Sequence, residues 1–129
     1  MTGKITVGTI QDTDGNTVAS TFLTNGSAKA YQHHDQDLAT MHKSFNLSSS
    51  TDNGDGDFTA NFTSSWLDAR YMYSFGVDDN DYNDATAYTI KGYIWATSSH
   101  RTRTLFTNDG NKNFFDQDMA CIIWFGDLA

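Results

Sequence analysis

Three kinds of side chain in this sequence are spaced so that they could do chemistry: clustered aspartates, an adjacent histidine pair, and two arginines one residue apart. Asp52, Asp55 and Asp57 sit in Asp52-Asn53-Gly54-Asp55-Gly56-Asp57 and invite a calcium reading. A helix–loop–helix calcium site needs oxygen ligands at positions 1, 3 and 5, Gly at 6 and Glu at 12. Counted from Asn53, the ligands would be Asn53, Asp55 and Asp57, but Phe58 takes the glycine position. The motif fails there, and a hairpin turn with Gly54 and Gly56 at positive φ is favoured. Asp78, Asp79, Asp81 and Asp84 repel one another unless screened, so Asp79, Asp81 and Asp84 are the better candidates for Ca2+ or another metal ion. Here too the sixth position, Asp84, is not glycine, which favours a solvated acidic loop. Tyr82 lies among these acids and could stack on a sugar at a loop tip.

His33 and His34, with Asp35 and His42 nearby, raise a zinc or iron site. Adjacent strand residues point to opposite faces, so one chain does not readily aim both rings at one ion. In a three-fold assembly one histidine per chain could meet on the axis; otherwise these are loop histidines facing solvent. Arg101 and Arg103, beside His100, form the local basic cluster. On a strand they share one face, with Thr102 and Thr104 on the other. Their guanidinium forks could hold a carboxylate or phosphate of a surface polysaccharide. They could equally pair with Asp68, Asp78 or a neighbouring subunit's acids, and that structural pairing is favoured.

Catalysis finds little support. The chain has no Glu, so a glycosidase pair would have to be two aspartates. No nucleophile elbow, zinc-protease helix, phosphate loop or Cys–His spacing occurs. Cys121 stands alone in the apolar run Met119-Ala120-Cys121-Ile122-Ile123-Trp124-Phe125 and reads as a buried structural thiol. An internal disulfide is ruled out, so packing or oligomerisation must hold the fold.

Positioning these residues falls to strands. The 129 residues include 14% aromatics and no proline, with Thr, Ser, Asn and Gly abundant. That is the composition of half-buried strands joined by tight turns, and no segment holds a helical period. A net charge of −8 and a pI near 4.5 argue against a nucleic-acid partner. No secretory apolar region follows Met1, and no apolar run approaches spanning length, which implies a protein made in a cytoplasm without membrane insertion.

Lys4 to Ile10 and Thr17 to Leu23 read as strands around an Asp14-Gly15 turn. Gln32 to Asp37 is polar and reads as a loop, and Ala39 to Leu47 as strand. Phe45 and Leu47 before the Asp/Gly turn, and Phe58, Ala60 and Phe62 after it, suggest one hairpin. Ser64 to Arg70 reads as a crossover with Trp66 and Leu67 plugging the core. Strands at Tyr71 to Phe75, Thr86 to Ala96, His100 to Thr107 and Asp118 to Gly126 complete the pattern. The last is apolar on both faces, as a central or subunit-contact strand would be. The expectation is an all-β fold: a single antiparallel sandwich or barrel-like domain of about nine short strands.

The stretches Asn25-Gly26-Ser27-Ala28-Lys29-Ala30-Tyr31, Ser44-Phe45-Asn46-Leu47-Ser48-Ser49 and Thr51-Asp52-Asn53-Gly54-Asp55-Gly56-Asp57-Phe58 resemble a module of tail-fibre and other appendage proteins of marine tailed phages, including those infecting cyanobacteria. Thr59-Ala60-Asn61-Phe62-Thr63 resembles its next strand, Trp66 to Tyr71 its crossover and Met119 to Gly126 its closing strand. The similarity spans residues 25 to 126 and is patchy between Phe75 and Phe114. The sequence departs from the module at Gln32-His33-His34-Asp35, where a Gly-rich loop is commoner, and near position 67, where Pro is often found.

Residues 1–24 read as N-terminal hairpin strands that could lie at a subunit contact, and the resemblance implies 25–129 as an appendage-like domain, assembled as a homo-trimer with other virion proteins. It implies a virion surface appendage that attaches to a bacterial surface glycan or receptor, without enzymatic activity or a required cofactor. A structural capsid knob, horn or fibre connector is the alternative, and a lectin-like carbohydrate-binding module a further one. The contact residues expected are Tyr82, Trp95, Arg101, Arg103 and Asn111, and the loops expected to carry contacts are 32–37, 77–84 and 108–113.

Overall fold

Alternation of inward and outward side chains along short strands builds the whole structure. It is a computed structural model, which describes residues 7–20, 26–78, 87–108 and 111–129. Eleven strands are present among them: β1 (Thr9–Gln11), β2 (Thr17–Ala19), β3 (Ala30–Asp35), β4 (Thr40–Phe45), β5 (Leu47–Asp52), β6 (Asp57–Phe62), β7 (Met72–Asp78), β8 (Ala87–Trp95), β9 (Ser99–Asn108), β10 (Asn111–Phe114) and β11 (Met119–Phe125). The all-β expectation holds, with eleven strands in place of about nine, and the sheets stay open instead of closing into a barrel.

β1 and β2 form a two-stranded sheet of their own around Gly15, whose φ is 85°. A four-stranded antiparallel sheet runs β4-β3-β11-β7. A five-stranded sheet runs β10-β9-β6-β5, with β8 on the other edge of β9. These two larger sheets face each other across one core. Ala30, Ala120, Ile122 and Trp124 come from the first, and Ala60, Phe62 and Ile90 from the second. Trp66 and Tyr71, from the 64–71 crossover, close one end with stacked rings 4.8 Å apart. Leu67 does not join them and is 67% exposed.

Three sequence expectations change. Gln32 to Asp37 is mostly strand β3, with the turn following at 36–39. Its inward row is Ala30, Gln32, His34 and Gln36, all buried. The polarity of those side chains hides a period of two. Gln36 is held by Thr104 and by the backbone N–H of Gln117, which donates to its Oε1 at 3.0 Å. The second change is at Asn46, where φ is 57° and the chain leaves one sheet for the other. Phe45 therefore sits outside the β5–β6 hairpin and stacks on Tyr31 at 5.9 Å. Third, Cys121 is only half-buried and faces outward, between His33 and Gly76 in register. Burial still pushes its thiol up. The closing strand β11 is central in its sheet, as its apolar run suggested.

Candidate functional site

Among the described residues, the outer face of the five-stranded sheet carries the strongest concentration of charge-assisted contacts. β9 places Arg101 and Arg103 outward, while His100, Thr102 and Thr104 are buried on the inner side. β6 pairs with β9 so that Asp57 stands opposite Arg103. Asp57 accepts from Arg101 Nε at 2.6 Å and Nη2 at 2.9 Å, and from Arg103 Nε at 2.7 Å. One carboxylate thus serves two guanidiniums. Burial alone would raise the Asp57 carboxyl, but hydrogen bonds and charge from Arg101 and Arg103 outweigh it and hold it below the usual range. The same bonds hold the Arg101 guanidinium above its ordinary value.

Two aromatic rings complete the cluster. The Arg103 guanidinium carbon lies 3.7 Å from the Tyr93 ring centre and 5.0 Å from that of Phe114. Arg101 lies 5.3 Å from Tyr93. Cation–π contacts of this kind stabilise by about 0.5–1 kcal/mol at exposed sites. Tyr93 reaches this position through a bulge: Gly92 pairs with Thr102 and Ile94 with Arg101, leaving Tyr93 as the extra residue. Lys91, opposite Arg103 in register, is exposed on the same face. Beyond Asp57 the face continues as a ladder of small polar groups. Asn61 Nδ2 donates to Ser49 Oγ and Thr51 Oγ1 at 3.0 and 3.1 Å, and Asn53 Nδ2 to Thr59 Oγ1 at 2.9 Å.

The 52–57 turn fixes where Asp57 begins its strand. Asp52 Oδ1 accepts from the Gly54 N–H, and Asp57 N–H donates to the Gly54 carbonyl. Gly56, at φ 61°, is pressed against the chain beyond β10: an added Cβ would lie 2.7 Å from the Phe115 nitrogen and the Thr104 oxygen. Asp52 is thus used in closing the turn and Asp57 in arginine pairing.

Trp95 ends β8 beside the buried aromatic cluster. Its ring packs 4.4 Å from His100, 5.1 Å from Tyr71 and 5.3 Å from Tyr73. The bulge restores Trp95 to the inward phase opposite His100, which sets one side of its ring against the interior while the residue stays 39% exposed. His100 is fully buried there and accepts from Trp124 Nε1 at 2.8 Å through Nδ1. Burial pushes its pKa down to about 4. Gly92 is required beside it, since a Cβ would come within 2.9 Å of His100 Nε2.

His33 and His34 lie on a strand and face opposite sides, so they do not share an ion. His34 is buried, edge-on to Phe58 at 4.7 Å, and burial pushes its pKa down. His33 shares the outer face with His42, 5.2 Å away, whose Nε2 lies 3.7 Å from Asp35. Among the described residues no group of three or more His, Cys, Asp or Glu side chains could hold a metal ion. Asp79, Asp81, Tyr82 and Asp84 lie outside the described residues, as does the side chain of Asn111. Arg101 and Arg103 are thus the expected contact residues that the structure brings together; their partner is Asp57, not Asp68, and the side chain of Asp78 lies outside the described residues.

Asp57, Tyr93 and Phe114 are the members of this cluster that sequence reasoning missed. Asp57 lies 44 and 46 positions from the two arginines, so only strand pairing reveals it. A different recess, of about 170 Å³, lies at the end of the sandwich between Trp66, Asp68, Arg70, Tyr71 and Asp127. There Asp68 Oδ1 is taken by the Arg70 N–H. Against protein-family models, curated proteins and solved structures, the chain finds no match.

Proposed function

We propose that this chain is a virion appendage protein of the tail-fibre-tip kind, which attaches reversibly to a bacterial surface glycan or protein receptor. The observation that carries the reading is the Arg101–Asp57–Arg103 cluster beneath Tyr93, set beside a ladder of Asn, Ser and Thr on a broad sheet face. Hydroxyl-rich ligands are recognised by such combinations: planar donors and acceptors for hydroxyls, and an aromatic ring for the apolar face of a sugar. The sequence resemblance to phage appendage modules points the same way. Weak single-site contacts would gain strength through several copies, and a homo-trimer is the assembly proposed. The test is a pull-down of labelled protein with whole cells and purified surface polysaccharides of candidate hosts, with and without a chelator. Saturable, host-selective binding is expected; no binding across hosts of the source virus overturns the reading. Loss of binding with chelator would assign a metal to the 79–84 region.

A structural virion role is the second reading, favoured by the outer face of the four-stranded sheet. Phe45, Tyr31 and Ile123 stand in one row across β4, β3 and β11, exposed by 53, 42 and 41%. A flat apolar row of this kind suits contact with another copy or another virion protein. In this reading host cells are not bound, and sedimentation equilibrium finds a stable oligomer.

A further inference from the structure

Resting on the attachment reading, we infer that the ligand group held by this face is an oxyanion on a sugar ring, the carboxylate of a uronic acid or a sulfate ester. The argument begins with charge. The chain carries eight Lys and Arg against sixteen acids, yet Arg101 and Arg103 share the carboxylate of Asp57 and Lys91 stands beside Arg103 in register on the same sheet face. An acidic protein that places cations together in this way creates a local attraction for anions against its overall field.

Donor count gives the second argument. A guanidinium offers five N–H groups, and Asp57 engages Nε and Nη2 of Arg101 but Nε alone of Arg103. The terminal nitrogens of Arg103 meet no acceptor among the described residues, and its side chain is 27% exposed. Asp57 anchors the inner edge of that guanidinium while Tyr93 and Phe114 flank it. The side chain is therefore fixed before any ligand arrives, which reduces the ordering cost of binding. A planar fork held in this way matches two oxygens of one carboxylate or sulfate.

The third argument is the neighbourhood. Tyr93 is 49% exposed, so part of its surface stays open beside the fork for the apolar side of a pyranose. The Asn61, Thr59 and Thr51 groups continue across the same face at strand spacing, within reach of further hydroxyls. Anion, ring and hydroxyls would then be met in order across neighbouring strands.

The experiment measures binding of the full chain by calorimetry and saturation-transfer NMR to three probes: an oligogalacturonate, a sulfated chondroitin oligosaccharide and neutral maltohexaose. Binding of either or both anionic probes, weakened by salt, with no binding of maltohexaose, is expected and identifies which oxyanion is preferred. Arg103→Gln should weaken it about tenfold or more, and Arg103→Lys, which keeps charge without the fork, should recover only part. Tyr93→Ala leaves the Asp57 pairing in place and should weaken binding less; each variant's unfolding midpoint is measured alongside. Equal binding of neutral and anionic probes, no binding of either anionic probe, or anionic binding unchanged in folded Arg103→Gln and Tyr93→Ala overturns the inference. The cell pull-down separates the two proposals. Cells retained equally by wild type and Arg103→Gln leave attachment standing without this site, whereas anionic probes bound without any cell retention leave the site standing without attachment.

Discussion

The two large sheets turn very different faces to the outside, although the same alternation of side chains produces both. On the five-stranded sheet the outward positions are Arg101, Arg103, Thr59, Asn61 and Thr51, stitched together by hydrogen bonds and centred on Asp57. On the four-stranded sheet the outward row is Phe45, Tyr31 and Ile123, with no comparable polar network joining it among the described residues. The first face can exchange water for a hydroxylated or anionic ligand without dehydrating apolar surface. The second gains most when another surface excludes water from it. Inside the sandwich the order of polarity is less expected, because His34, His100, Gln36, Gln117, Thr102 and Thr104 are buried between the faces. An inward position is therefore not a guarantee of an apolar residue, and the two outer faces differ more than exposure alone would require.

Acidification is the largest perturbation, and it should remove both faces together. His100 is held neutral by burial with a pKa near 4, against about 6.5 for an unfolded histidine. Between those values the unfolded chain binds the proton and the folded one does not, so stability falls as pH drops from about 6.5 and levels off near 4. The loss approaches about 3 kcal/mol, and His34, shifted in the same direction, adds to it. Asp37 and Asp116, whose carboxyls burial pushes up, act in the opposite sense nearer the carboxylate range. Asp57 is held low by its arginines, so its contribution is present above the unfolded carboxylate value of about 3.8 and is lost only below it. Urea midpoints measured from pH 7.5 to 4.5 should stay level at first and then fall below about pH 6.5; a flat profile throughout would mean that the buried imidazoles are not what limits acid stability.

Asp57→Ala is expected next in size, and it acts on one face alone. Removing the carboxylate leaves two guanidiniums facing each other across a nearly buried position, a cost of about 2 kcal/mol. In a domain of this size that corresponds to a fall of roughly 5–10 °C in Tm. Thermal unfolding by circular dichroism checks it, and a shift below about 2 °C would show the ion pair to be as weak as an ordinary surface bridge.

Much of this architecture could be read before the structure, and the exceptions have identifiable causes. The Asp12–Asn16 and Asp52–Asp57 turns were legible because glycine at positive φ has a local signature. β11 was legible as a central strand because both its faces are apolar. β3 was not, since Gln32, His34 and Gln36 satisfy the inward phase with polar side chains that composition assigns to a loop. The change of sheet at Asn46 was hidden because the alternation of Phe45 and Leu47 continues across it. The arginine face was half legible. Arg101 and Arg103 announce a shared face by spacing, but Asp57 and Tyr93 depend on sheet register and on a bulge, and both are long-range properties.

On the apolar face, Phe45→Ser combined with Ile123→Ser should leave monomer stability within about 1 kcal/mol, since both side chains are substantially exposed. If copies meet through this row, the double variant sediments as a smaller species than wild type at the same concentration. Unchanged sedimentation of an oligomer would move the contact elsewhere and weaken the structural reading of that face.

The smallest expected effect belongs to Asn61→Ala. Its amide joins Ser49 and Thr51 across two strands, yet all three groups lie on a solvated surface where water replaces each lost bond. A change within about 0.5 kcal/mol follows, measurable as a urea midpoint almost superimposed on wild type. That small number would be informative. If the ladder contributes almost nothing to folding, folding does not explain why amides and hydroxyls are arrayed there, whereas binding of a hydroxylated ligand does. A loss well above 1 kcal/mol would place the ladder with Asp57 as part of what holds the sheet, and the polar face would then differ from the apolar one in stability as much as in recognition.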